Sequence, residues 1–123
     1  MKKRIEKYLP TAMDIIEKVK IADKNGNVNS KFNGYFSSFG AAMVLSGVKS
    51  ALAFYSNKKT AKERVKILQA IYMLITRNEE VPEETALLKY YIAKENSDPL
   101  LKQKILDAAT ALKLAVRTYT LVD

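Results

Sequence analysis

The 123-residue chain contains no cysteine and no histidine. Without cysteine there are no disulfides and no thiolate metal sites. Without histidine the commonest general base and the commonest metal ligand are both missing. Serine–histidine and cysteine–histidine nucleophile systems are therefore impossible. Glycine is scarce too. The four that occur (Gly26, Gly34, Gly40 and Gly47) are scattered and fit no phosphate-cradling loop. No apolar run approaches the roughly 18 residues needed to span a bilayer. The basic start, Met1-Lys2-Lys3-Arg4, resembles the front of a signal peptide, but Glu6, Lys7, Asp14, Glu17 and Lys18 interrupt what would be its apolar segment. A cytoplasmic protein is expected, with no membrane partner.

Apolar residues make up 48% of the chain, enough for a core in a domain of this length. One domain spanning residues 1–123 is expected. The net charge of +8 is unevenly distributed. Residues 1–77 hold 15 Lys/Arg against 5 Asp/Glu, a net +10, and residues 78–123 hold 6 against 8, a net −2. A basic part beside a slightly acidic one suits an anionic partner on one side, nucleic acid first among them. A merely soluble basic surface accounts for the charge equally well.

Helical periodicity runs through the chain, and no segment reads as a strand. Ile5, Leu9, Ala12, Ile16 and Val19 form one apolar stripe over residues 3–22. Pro10 either kinks this helix or opens a second one after a short lead-in. Residues 23–27 read as a loop around Asn25-Gly26. Ser30 is placed to cap a helix over 31–45, rich in aromatic and small residues and expected to be buried on more than one side. Gly47 marks a break or a tight contact before a helix over 48–55. Thr60-Ala61-Lys62-Glu63 has the capping-box pattern. The helix after it, to about Arg77, has so wide an apolar face that it should be central. Pro82 suits the start of the next helix, with Glu83 and Glu84 complementing its dipole and Leu87, Leu88, Tyr91 and Ile92 on its apolar side. Asp98-Pro99 opens a last helix reaching about Thr120. The expected fold is all-α, a compact single-domain bundle of five to seven helices.

Glu79, Glu80, Glu83 and Glu84 are the nearest thing to a catalytic carboxylate group, but acids are expected in a linker and first helical turn. No carboxylate spacing suits a metal, so no cofactor or metal is expected. The basic residues are more informative. Lys49, Lys58, Lys59, Lys62, Arg64 and Lys66 fall within 18 positions. Lys62, Lys66, Gln69 and Arg77, with Met73 between, recur on one face of the long helix. Such a stripe can follow a phosphate backbone, or it can be a solvated face partly neutralised by Glu63 pairing with Lys59 or Lys66. Phe54 reads as core, while Tyr55 is open between core and base stacking. Lys2, Lys3, Arg4 and Lys7 make a second basic group, read as a frayed, solubilising terminus or as an arm contacting RNA or a neighbouring subunit.

Residues 35–58 resemble the signature region of the small subunit of the Cmr (type III-B CRISPR) effector complex. That family shows a tyrosine, a Leu-Pro step, Asn-Gly-Leu, and a Leu-Ala-Phe core ending in Ser-x-Lys. Tyr35, Gly47, Leu52, Ala53, Phe54, Ser56 and Lys58 match in order. Phe39-Gly40 stands where Leu-Pro is usual, and Ser46 and Val48 flank Gly47 in place of Asn and Leu. The last helix carries Ala111, Leu112 and Arg117 but lacks the family's tryptophan.

The resemblance implies a small helical bundle without catalytic activity, stacked in more than one copy beside the backbone subunits. It would touch the large subunit and help hold guide RNA against target RNA, in antiviral defence. Catalysis would belong to other subunits. In such complexes base pairing reads sequence while protein holds the backbone. RNA-binding candidates are accordingly Lys49, Lys58, Lys59, Lys62 and Lys66. Lys58 follows from motif position, the others from charge and helical facing. The alternatives are a type III-A small subunit and an unrelated helical protein–protein adaptor.

Overall fold

Proline has no backbone N–H and suits a first helical turn, where none is needed. The computed structural model describes residues 2–57 and 62–123. In it the N-terminal stretch divides into α1 (Lys2–Glu6) and α2 (Leu9–Lys18), with Pro10 in the first turn of α2. A short lead-in and then a new helix is thus the reading of Pro10 that holds. Ile5 on α1 and Ala12, Ile15 and Ile16 on α2 are buried.

Beyond α2, Asp23 Oδ1 accepts from the backbone N–H groups of Asn25 and Asn27, at 2.8 and 3.0 Å. Gly26 turns the chain at φ +78°. The chain then enters a strand, β1 (Asn27–Asn29), which pairs in parallel with β2 (Thr120–Val122) in the register Asn27–Thr120, Val28–Leu121, Asn29–Val122. This small sheet corrects two expectations, that no strand forms and that the last helix reaches Thr120. Three residues are too few to show a period of two. The flanking asparagines of β1 are also poor strand formers.

Ser30 does not cap α3 (Lys31–Ser46) with its side chain. Asn29 Oδ1 accepts from the Lys31 N–H at 3.0 Å instead, and the Ser30 N–H donates to the Val122 carbonyl at 2.7 Å. Only one stripe of α3 is buried: Phe32, Phe36, Phe39 and Met43. Gly34 and Ala41 lie at the surface, and Val44 and Leu45 are 66% and 84% exposed. Gly40 and Ala42 are only half-buried, so the expected full burial on more than one side is not found.

Gly47 separates α3 from α4 (Val48–Tyr55) at φ +90°, ψ +159°, a region essentially reserved for glycine. Helix α5 (Arg64–Thr76) buries Val65, Ile67, Leu68, Ala70, Ile71, Met73 and Leu74, the central position its wide apolar face predicts. It begins at Arg64, where Glu63 makes no side-chain cap. The other half of the expected capping box, Thr60, lies outside the described residues. Helix α6 (Ala86–Lys94) starts four residues after Pro82, whose carbonyl accepts from Gln69 Nε2 at 2.8 Å. Only Leu87 of α6 is fully buried, and Ile92 is 54% exposed.

Helix α7 (Leu101–Val116) packs against α1, α2, α3 and α5. Ala108, Ala109, Ala111 and Ala115 let those neighbours approach closely, while Leu101, Ile105 and Leu112 fill the space between. Each such leucine or isoleucine contributes about 1.5–3 kcal/mol by burial. At the start of α7, Asp98 Oδ1 accepts from the Leu100 N–H at 3.1 Å, as an Asp-Pro helix start predicts. With seven helices among the described residues and one small sheet, the fold is the expected helical bundle.

Candidate nucleic-acid interface

A side chain serves a phosphate backbone only if its charge is presented to solvent and not already spent on a carboxylate. Helix α4 buries Val48, Ala51, Leu52 and Tyr55, one face of the helix. Lys49 falls outside that face. Its ammonium lies 3.0 Å from Glu95 Oε2, next to the end of α6, with 60% of the side chain still exposed.

The same geometry corrects the reading of Phe54. It lies off the buried stripe and is 55% exposed, while Tyr55 is buried. The Arg64 guanidinium stands 4.6 Å from the Phe54 ring centroid and 5.6 Å from that of Tyr55. At a surface site such a cation–π contact is worth about 0.5–1 kcal/mol. Burial pushes the Tyr55 phenol above its ordinary pKa, opposed by a Ser38 hydrogen bond and by Arg64. Tyr55 is thereby core, packed edge-on against Phe39 at 5.2 Å. The spacing of Val48, Leu52 and Tyr55 already holds the signal that Phe54 faces out. Arg64, a member of the charge cluster, is missing from the five RNA-binding candidates.

Lys62 is exposed. Lys66 is not available in the same way. It pairs with Glu63 at 3.0 Å, donates to the Lys20 carbonyl at 3.1 Å, and lies 5.9 Å from the Phe32 ring centroid. Its side chain is 27% exposed. Lys58 and Lys59 lie outside the described residues.

The expected continuous stripe from Lys62 to Arg77 does not exist. Met73 is buried, and Gln69 is occupied by the Pro82 carbonyl. A helix buried on most sides cannot carry a polar face along its whole length. The basic residues of α5 therefore separate into two places. One, at the α4–α5 junction, holds the exposed Lys62 and the Phe54–Arg64 stack. The other, at the far end of α5, holds Arg77, in the left-handed conformation at φ +58°. That conformation costs a side chain with a β-carbon roughly 1–2 kcal/mol.

The N-terminal basic group is not a frayed tail in its α1 part. Arg4 Nε lies 2.8 Å from Asp107 Oδ2, and Lys7 Nζ stands 5.3 Å from the Tyr8 ring centroid.

Of the acids, Glu83 accepts from Thr85 Oγ1 at 2.6 Å and lies 3.8 Å from Lys89 Nζ. Among the described residues, no cluster of three or more His, Cys, Asp or Glu is arranged to hold a metal ion. Nor is any helix among them long and apolar enough to cross a membrane.

A family model described as CRISPR-associated protein (Cas_Cmr5) matches residues 7–119. No curated protein and no solved structure matches the chain. The family match runs from the turn before α2 to the turn after α7, far beyond residues 35–58. On this evidence the chain belongs to the Cmr small-subunit family of CRISPR-associated proteins.

Proposed function

We propose that this chain is a non-catalytic, cytoplasmic subunit of a type III-B effector complex, in antiviral defence, and that it helps hold guide RNA and target RNA by their phosphates. It stacks in more than one copy beside the backbone subunits and touches the large subunit. The observation that carries the RNA part is the α4–α5 junction: an exposed Lys62 beside an Arg64 guanidinium stacked on an exposed Phe54. A planar cation over a surface ring, two residues from an exposed lysine, suits a strand whose phosphates are neutralised while a base finds a stacking face. Lys58 and Lys59 precede Lys62 in the sequence. Lys49 and Lys66, each paired to a glutamate, contribute less. The exposed Val44 and Leu45 suit a protein contact within the complex.

Lys58, Lys59 and Lys62 changed together to glutamate provide the test, in the assembled complex. The expected result is a complex that still assembles but retains RNA weakly and with a shallower salt dependence, by up to about one unit of log–log slope for each lysine–phosphate pair removed. Unchanged retention would remove the RNA role from this junction and favour a subunit that contacts only protein.

A further inference from the structure

A second basic place lies away from the α4–α5 junction. Between α2 and the C-terminal end of α5 there is a cleft of about 550 Å³, within the range of small-molecule sites. Lys7 lines it from the turn before α2, Lys18 from the end of α2, Arg77 from the end of α5, and Lys104 from α7. Lys104 is bound to Asp98 at 2.8 Å. Lys7, Lys18 and Arg77 have no ion pair among the described residues, in contrast to Lys49 and Lys66.

Two further features say what kind of anion fits. The lining is not purely cationic. Asp14 and Glu79 stand among the lysines, and the half-buried Ile75 supplies apolar surface. A bare inorganic anion gains nothing from carboxylates or apolar walls, whereas a nucleoside offers hydroxyls to the one and a base to the other. Tyr8, half-buried at one end with Lys7 Nζ 5.3 Å from its ring centroid, presents a ring for stacking.

The second feature is Arg77 itself. Helices that end in the left-handed conformation usually place glycine or asparagine there. Here an arginine occupies the strained position, and it is one of the residues lining the cleft. Backbone strain of this kind gathers at ligand sites.

We propose that this cleft binds a nucleoside phosphate, with Arg77, Lys7 and Lys18 on the phosphate and Tyr8 beside the base. The ligand is either a free nucleotide or a unit of a single RNA strand. The site is separate from the α4–α5 junction and stands without it.

The full-length chain is titrated with AMP, with inorganic phosphate and with a short oligouridylate, and chemical shifts of Tyr8 and Thr11 are followed by NMR. Arg77→Gly, Lys18→Glu and, as a control at an exposed lysine outside the cleft, Lys31→Glu are titrated alongside. Binding of AMP, weakened at least tenfold by Arg77→Gly and by Lys18→Glu but not by Lys31→Glu, supports a free nucleotide. The same pattern with oligouridylate alone supports a strand. Arg77→Gly relieves the backbone strain, so it should melt no lower than wild type while it binds less, which a purely structural role for Arg77 does not produce. No binding of either nucleoside ligand, binding indifferent to Arg77 and Lys18, or inorganic phosphate competing as well as AMP would each overturn the proposal.

Discussion

Arg4 Nε donates to Oδ2 of Asp107 at 2.8 Å, joining the first helix to the middle of the last. Asp107 is a charged residue buried in the core, 5% exposed, and its other oxygen accepts from Gln103 Nε2 at 2.9 Å. Removing Arg4 leaves that carboxylate buried with one partner fewer, a loss of about 2 kcal/mol. Arg4→Ala should therefore lower the urea midpoint clearly. Arg4→Met combined with Asp107→Leu, which removes both charges, should recover much of that loss. Urea unfolding followed by circular dichroism checks both. A double variant less stable than Arg4→Ala would show that the pair matters for more than compensation of charge.

Two glycines should respond with opposite signs. Gly47 stands at φ +90° with nothing near its missing side chain, so Gly47→Ala is opposed by backbone strain alone, of order 1–3 kcal/mol. Gly40 lies within α3 with equally open space, and Gly40→Ala should stabilise by up to about 1 kcal/mol. Thermal melts of the two variants test this directly. A stabilising Gly47→Ala would mean that the α3–α4 break is not held by its backbone geometry.

The Asp98–Lys104 pair sets a pH dependence. The Lys104 hydrogen bond is the main cause that holds Asp98 below its ordinary pKa, and Asp98 in turn raises that of Lys104. For Asp98 the folded value is the lower one. Its contribution is thus present above the unfolded value and lost as pH falls through the folded one. For Lys104 the sign reverses: the contribution is present below the ordinary lysine range and lost as pH rises through the raised value. Asp98→Asn should flatten the acid limb of the stability profile, and NMR titration of the Asp98 carboxyl should find its midpoint below that of an unstructured aspartate. The ordinary midpoint would contradict the pairing.

The Phe54–Arg64 contact should matter little to folding. Phe54→Ala removes a half-exposed ring and a surface cation–π pair, costing about 1 kcal/mol or less. In the assembled complex it should weaken RNA retention at a salt concentration where the wild type holds. Equal loss of stability and retention would identify Phe54 as a packing residue only.

Much of the bundle is legible in the sequence because long amphipathic helices carry a strong periodic signal. The stripe of α2, the wide face of α5 and the Asp98-Pro99 start of α7 each follow from spacing and end chemistry. The small sheet is not legible. Its strands lie far apart in sequence, at Asn27–Asn29 and Thr120–Val122, and neither is long enough to show alternation. The Arg4–Asp107 pair is hidden for the same reason: 103 positions separate residues that only the packing of α1 on α7 brings together. For the candidate interface, charge clustering marks out a stretch but not which charges in it remain available. Glu95 and Glu63 neutralise Lys49 and Lys66, and the Glu95 contact is made across helices. The burial of Met73 divides the stripe that helical facing alone would join.

The central claim is that this chain works within an RNA-bearing assembly. A pull-down of the tagged protein from its source cells at low salt, with bound proteins and RNA identified, tests it most directly. Recovery of a multi-subunit complex carrying short, uniform guide RNAs is the expected result. Recovery of the protein alone, or with an unrelated partner and no RNA, would contradict the account.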